Sequence, residues 1–296
     1  MRQLCEPMTA SRIRLIALDL DGTLLSSSSE IPEDNLRAIQ AAVDAGIEVA
    51  LVTGRRFDFA RPIAEMIPCP VTMIVNNGAL VRSRDGTTHL RHLLPRRTAL
   101  ELLGQMETFR RRAALVFDRV RENQVIYEEI EWHNPRRRPY LLRNREYIAQ
   151  VSPIEMALTE DPIQLMYSGD PAMMRSAEAL LRASPLRDSF SLAVTYYDHM
   201  DFAMIDLIHP GCSKGATLAE WTARRGYLPA EVMAIGDNYN DREMLEFAGL
   251  PVVMANAVSE LKNRGWRETL SNDRAGVAAA IDAYALNAGI DKRTLA

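Results

Sequence analysis

The sequence predicts an α/β protein, a domain of alternating strands and helices interrupted by an α+β insert. Three observations carry this prediction. Short apolar, β-prone runs alternate with helical patterns over residues 13–75 and again after residue 213, the rhythm of a parallel sheet. Near residue 85 that rhythm gives way to hairpin and mixed patterns, which last until about residue 207. Polar segments rich in Asp, Thr and Gly follow directly on three of the apolar runs. Open α/β sheets carry their ligands at such carboxyl ends of strands.

Taken in order, Ile13–Leu18 reads as the first strand, followed by a Gly- and Ser-rich loop from Gly22 to Ser29. Pro32 opens a helix with Leu36, Ile39, Ala42 and Val43 on one face, ended by Gly46. Ile47–Val52 is the second strand, and a helix through Phe59, Ile63 and Met66 stops before Pro68. Val71–Val75 is the third strand, closed by the turn signal Asn76-Asn77-Gly78. Ala79–Arg82 and Thr88–Leu93 flank Asp85-Gly86 as a hairpin. Pro95 begins a helix running towards Arg112, with strands expected around Ala114–Phe117 and Val125–Glu129. The polar, arginine-rich segment from Trp132 to Arg145 reads as a loop entering a short helix. Ile163–Tyr167, a helix from Pro171 to Arg182, Phe190–Tyr196 and Phe202–Ile208 complete the insert. From Ser213 a helix holding Leu218, Trp221 and Ala223 resumes the first rhythm, and Val232–Ile235 is its next strand. The predicted division is therefore a core formed by residues 1–84 and 208–296, with an insert at 85–207.

The 296 residues suffice for two domains with a substantial core. A hydrophobic fraction of 47% and a charged fraction of 25% are those of a soluble globular protein. The formal net charge of −4 gives no reason to expect nucleic acid or an anionic membrane as partner. No apolar run is long enough to span a bilayer, and Met1 to Arg12 lacks the apolar stretch of a signal peptide. Cys5, Cys69 and Cys212 are odd in number and widely spaced, which fits a reducing cytoplasm.

Four segments carry chemistry: Asp19-Leu20-Asp21-Gly22-Thr23, Thr53-Gly54-Arg55, Lys214-Gly215 and Gly236-Asp237-Asn238-Tyr239-Asn240-Asp241. In an extended segment residues i and i+2 share a face, so Asp19 and Asp21 can both look into one pocket. Paired carboxylates repel and call for a cation or a shared proton, and Mg²⁺ suits an all-oxygen site that also holds phosphate. The competing reading makes both aspartates loop caps. Thr53 and Gly54 offer a hydroxyl and a closely approachable backbone amide to phosphate oxygens, or else Thr53 caps the helix through Phe59. Lys214 lies near a helix start, where a cation opposes the helix dipole unless an anion is close; an exposed, solvated lysine is the alternative.

This set resembles the haloacid dehalogenase superfamily of phosphatases, which carry a DxDGT segment, a Ser or Thr after the second strand, a Lys and a GDxxND segment. It is most similar to the Cof-type branch with a type IIB cap. Asn76-Asn77-Gly78, Gly211-x-Ser213-Lys214-Gly215, Met254-x-Asn256-Ala257 and Asn272-Asp273 with Gly276-Val277-Ala278 add to the resemblance. It spans the core from end to end and is poor in the insert. It implies a Rossmann-like three-layer α/β/α core with an inserted α+β cap domain. It makes Asp19 the nucleophile that forms an aspartyl-phosphate. Asp21 becomes the general acid and then the base, with its pKa raised by a dry, carboxylate-rich setting. Mg²⁺ would be held by Asp19, the Asp21 backbone carbonyl and Asp237. Leu20, Thr53, Gly54, Lys214 and Asn240 would grip the phosphoryl group. Asp241 would orient Lys214 or metal-bound water from behind, with Asn238 standing where the family often has Ser.

The expected activity is Mg²⁺-dependent hydrolysis of a small phosphorylated metabolite, a sugar phosphate by default, with a nucleotide or cofactor phosphate also open. A phosphomutase using the same intermediate, and a phosphometabolite-binding regulator without turnover, are the alternatives. In the insert, Arg110-Arg111-Arg112 and Arg136-Arg137-Arg138 read as a solvated helix end and loop rather than a second anion site. Arg143 and Arg145 admit both readings, and His133 beside Trp132 either contacts a sugar or a ring or is a structural or exposed histidine. His89, His92, His199 and His209 lack zinc-ligand spacing. Met173 and Met174 read as core fillers, and Cys212 has no base to pair with.

Overall fold

Apolar runs without alternation form strands buried on both faces, and the first half of the core is built from three of them. β1 (Leu15–Leu18) is buried throughout, α1 (Glu33–Asp44) follows, and β2 (Glu48–Val52) is buried from Val49 on. After α2 (Phe57–Met66) comes β3 (Thr72–Val75). The expected hairpin forms as β4 (Leu80–Ser83) and β5 (Thr88–Arg91), and it extends the same sheet. The structure, a computed structural model, describes residues 12–134, 137–197 and 201–286. Cys5, Arg136 and His199 therefore lie outside the described residues.

The insert contributes α3 (Arg96–Gln105), β6 (Ala113–Val116), β7 (Val125–Tyr127), α4 (Arg138–Arg143), β8 (Ile148–Gln150), β9 (Gln164–Gly169), α5 (Pro171–Arg182), β10 (Ser191–Tyr197) and β11 (Phe202–Ile208). The helix expected from Pro95 to Arg112 is shorter. It ends at Gln105, just past the helix-weakening Gly104, and Glu107–Arg112 winds as a separate 3₁₀ segment. The six strands order as β10-β11-β9-β6-β7-β8. All pairings are antiparallel except β7 with β8. Alternation sorts the side chains: Leu115, Leu165, Tyr167, Ile205 and Leu207 pack with Leu102, Leu103, Ala177 and Leu181. Ala114, Val116, Val125, Tyr127 and Met166 form a second cluster with Leu141 of α4.

The chain then returns with α6 (Lys214–Arg224), β12 (Val232–Gly236), α7 (Arg242–Phe247), β13 (Leu250–Val253), α8 (Ser259–Lys262), β14 (Arg267–Glu268) and α9 (Gly276–Ala280). The first sheet orders as β14-β13-β12-β1-β2-β3-β4-β5. It is parallel from β14 to β3 and turns antiparallel at β4. Two compact units result, one of residues up to His89 with those from Lys214 on, the other Leu90–Ser213. The chain runs from β1 to β2 on one side and returns to β12 on the other, so the sheet order reverses at β1. Ligand crevices in α/β sheets open at such a point.

Candidate active site

Register brings the chemistry-bearing segments to one edge. Leu18 lies opposite Ile235 of β12 and Leu51 of β2. Asp19, Asp237 and Thr53 therefore emerge side by side at the carboxyl ends of three adjacent strands. Lys214 is the first residue of α6, and Asp241 closes the 3₁₀ turn Tyr239–Asp241 after β12.

Charge dominates this edge. Asp19, Asp237 and Asp241 are buried and present carboxylate oxygens within 4.8 Å of one another. Lys214, with its side chain 2% exposed, donates from Nζ to Asp19 Oδ1 at 2.7 Å and to Asp241 Oδ1 at 2.6 Å. It is neither solvated nor exposed. The other Asp241 oxygen accepts the backbone N–H groups of Asp237 and Asn238, both at 3.0 Å, so Asp241 is fully committed to orienting Lys214 and the β12 turn. Burial, followed by the neighbouring Asp241 charge, pushes the Asp19 carboxyl well above its ordinary range despite Lys214. The same two causes push Asp237 up to about 7. Burial works against the Lys214 ammonium, but Asp19 and Asp241 outweigh it and hold its pKa above the usual lysine value.

One ammonium against three buried carboxylates leaves an excess of negative charge among oxygen donors. Asp237 Oδ1 accepts from Thr23 Oγ1 at 3.1 Å. The second oxygens of Asp237 and Asp19 take no hydrogen bond among the described residues. Such a donor set fits a hard divalent cation. The aspartates are thus not loop caps: Asp19 faces Lys214, and Asp21 faces Arg55.

Thr53, buried, does not cap α2, whose N-cap is Arg56. Its Oγ1 instead accepts the Arg55 N–H at 3.1 Å. The Thr53 carbonyl accepts from Asn77 N–H and the Arg55 carbonyl from Asn76 N–H, at 3.1 and 2.9 Å. A Cβ on Gly54 would stand 2.9 Å from Asn77 Oδ1, so only glycine lets the two loops meet without displacement. Leu20 is buried, and its backbone N–H carries no hydrogen bond among the described residues. Asn238 Oδ1 accepts from Tyr239 N–H at 2.8 Å and so opens the turn. Asn240 sits half-buried on that turn with its amide uncommitted among the described residues.

The dry setting expected for Asp21 is absent. Its side chain is 44% exposed, and both oxygens are held by Arg55, Nε to Oδ2 at 2.8 Å and Nη2 to Oδ1 at 2.5 Å. Repulsion from Asp19 and Asp237 favours this outward position. Arg55 stands inside the Thr53-Gly54-Arg55 motif, whose sequence points to the hydroxyl and the glycine amide but carries no sign of the guanidinium's partner.

A brace supports the loop after Asp19. Gly22 has φ +84, and a Cβ there would lie 2.3 Å from Asp237 Oδ2. Asn256 Nδ2 donates to the Gly22 carbonyl at 2.8 Å, and Asn256 Oδ1 accepts Asn272 N–H at 3.0 Å. Asn272 Nδ2 donates to the Leu25 carbonyl at 2.9 Å, and Ser27 N–H to Asp273 Oδ1 at 2.7 Å. These late asparagines had a motif but no role in the sequence.

The arginines of the insert are not simply solvated. Arg110 donates to Glu128, Glu155 and Glu107 at 2.5–3.2 Å. Arg111 pairs with Glu129, and Arg112 and Arg137 share Glu131. That neutralisation also removes the case for a second anion site at Arg110–Arg112. Arg138, Arg143, Arg145 and His133 are exposed. Among the described residues no histidine joins a metal-ligand cluster, and no helix is long and apolar enough to cross a membrane.

The model of the haloacid dehalogenase-like hydrolases matches residues 16–281. Pyridoxal phosphate phosphatase YbhA of Escherichia coli is 28% identical over 85% of this chain and 91% of its own length. The 5-amino-6-(5-phospho-D-ribitylamino)uracil phosphatase YcsE of Bacillus subtilis is 29% identical over 93% and 96%. A haloacid dehalogenase-like hydrolase from Bacteroides thetaiotaomicron superposes with a TM-score of 0.75 at 25% identity, covering 92% of this chain and 99% of its own. With the family model spanning both halves of the core, the chain belongs to the haloacid dehalogenase-like hydrolases.

Proposed function

We propose that the protein is a Mg²⁺-dependent phosphomonoesterase acting on a small phosphorylated metabolite. The observation that carries this is the buried Lys214–Asp19 pair beside Asp237 and Asp241 at the reversal point of a parallel sheet. Phosphoryl transfer asks for positioning and charge neutralisation more than for covalent ingenuity, and both are supplied at this edge. Asp19 attacks phosphorus, forming an aspartyl-phosphate while the bond to the leaving oxygen breaks; Asp21 gives that oxygen its proton. Water then attacks the same phosphorus, its proton passes to Asp21, and Asp19 is restored, so that one slow step becomes two easier ones. Lys214 stands against the oxygen charge that develops, held in place by Asp241. Thr53, the Leu20 and Gly54 amides and Asn240 are the neutral donors for the phosphoryl oxygens. Mg²⁺ would be held by Asp19, Asp237 and the Asp21 carbonyl, and when bound supplies the positive charge that three carboxylates and one lysine lack.

Sugar phosphates come first, as the resemblance to the Cof-type branch implies. The phosphates named for YbhA and YcsE belong on the same panel. Cys69 and Cys212 are buried thiols, and we assign the protein to a reducing, cytoplasmic setting. The test is inorganic phosphate release from a metabolite panel with and without Mg²⁺, beside an Asp19→Asn control. Metal-dependent release that the control abolishes is the expected result. Folded protein that releases nothing, or transfers phosphate only with a bisphosphate activator, would overturn the reading.

A further inference from the structure

We propose that Arg55 is the positioning residue for Asp21, setting the carboxylate that exchanges its proton with the leaving oxygen and with water. This inference rests on the phosphatase reading above. The backbone around Asp21 is well determined: Gly22 is wedged against Asp237 and its carbonyl is held by Asn256. The side chain is not determined by packing, because it is 44% exposed. Among the described residues Arg55 alone holds it, and does so at both oxygens. Two parallel N–H···O bonds fix the plane of a carboxylate as well as its distance. Without them the Asp19 and Asp237 charges repel Asp21, and the open side gives it room to turn away.

Arg55 is in turn set by its own loop. Its N–H donates to Thr53 Oγ1 and its carbonyl accepts from Asn76 N–H, so the guanidinium extends from a backbone tied within its own turn and to one neighbouring segment. An ion pair this exposed contributes little to folding. Its consequence is therefore positional. The paired carboxylate is the form that the first step produces and that the second step uses as its base. In the first step the Asp19–phosphorus bond forms, the leaving oxygen departs with the Asp21 proton, and Asp21 is left as the carboxylate that Arg55 holds. In the second, water's oxygen bonds to phosphorus, the Asp19–phosphorus bond breaks, and the water proton returns to Asp21.

Leaving-group dependence tests this. Glycerol phosphate releases an alkoxide that needs a proton; p-nitrophenyl phosphate releases a phenolate that does not. The ratio kcat/KM reports only the steps through departure of the leaving group, so the shared hydrolysis of the intermediate drops out. In the full chain with Mg²⁺, Arg55→Ala should lower kcat/KM for glycerol phosphate about 10²-fold, the cost of a misplaced catalytic group. For p-nitrophenyl phosphate the loss should be about threefold or less, since no proton donor is needed. Arg55→Lys should fall between, because an ammonium holds one oxygen at a time, and it carries the comparison if Arg55→Ala does not fold. Inhibition by inorganic phosphate should be unchanged. Equal losses for both substrates, or phosphate inhibition weakened in step with them, would overturn the proposal and make Arg55 a structural or phosphate-binding residue. Asp21→Asn is the reference. If the wild type is active and Asp21→Asn shows the bias while the Arg55 variants do not, only this inference fails. If the wild type releases no phosphate, the phosphatase reading fails and takes the inference with it.

Discussion

At the scale of single residues, Lys214 decides whether the site can exist. It is a buried ammonium at the first residue of a helix, where the dipole disfavours it, and it stays because Asp19 and Asp241 each lie within 2.7 Å. Lys214→Met keeps much of the side-chain volume but leaves two buried carboxylates without their counter-charge. Removing one partner of a buried pair costs about 3–5 kcal/mol, and a loss of that order is expected in urea unfolding without metal, together with loss of phosphate release. A Lys214→Met protein as stable as the wild type would show that the carboxylates are neutralised in some other way. Most of this group is legible in the sequence, because each member sits at a fixed offset from an apolar strand or a helix start. The Arg55–Asp21 pair is not, since 34 residues separate its partners and only the geometry of two loops brings them together. The same holds for Arg110, whose carboxylates lie 18 and 45 residues away and turn what reads as a charged helix end into a neutralised cluster.

At the scale of elements, the loop between β1 and α1 depends on the far end of the chain. Asn272 donates to the Leu25 carbonyl, and its N–H holds Asn256, which holds Gly22. Asn272→Ala removes a buried donor and leaves a carbonyl unpaired, a change of about 1–3 kcal/mol. Both a lower urea midpoint and faster proteolytic cleavage within Ser26–Ser29 are expected. If neither moves, the loop is held by its own turn and the asparagines are incidental. Elements were readable in proportion to how local their causes are. α5 matches the reading from Pro171 to Arg182 because Asp170 caps it, accepting Met173 N–H at 2.9 Å. β8 was missed because its three residues are no better than half-buried and it is paired in parallel to β7, a partnership without local trace. β14, two exposed charged residues, gives no apolar signal at all.

At the scale of the whole molecule, the core unit concentrates negative charge at one sheet edge, and this ties its stability to pH. Asp237 is pushed up to about 7 and Asp19 is raised well above its ordinary range, in both cases first by burial and then by Asp241. A carboxyl whose folded pKa exceeds its unfolded value, about 4, favours folding fully below that unfolded value. Its contribution fades as pH rises through the folded one. The lowered carboxyls, Asp85, Glu131, Glu155 and Glu246, act in the opposite sense, but below about pH 4.5. Between pH 5 and 8 the buried aspartates therefore govern, and the metal-free protein should lose stability across that window. A cation competes with protons for the same oxygens. Mg²⁺ should accordingly raise Tm much more at pH 8 than at pH 5. Asp237→Asn, which removes one of these carboxylates and relieves its repulsion of Asp19, should flatten the pH slope and blunt the Mg²⁺ response together, and reading the variant against the wild type cancels the titrating groups remote from this cluster. A wild-type Tm shift equal at both pH values, or a variant that keeps both the slope and the response, would mean that the carboxylate cluster is not where the cation binds.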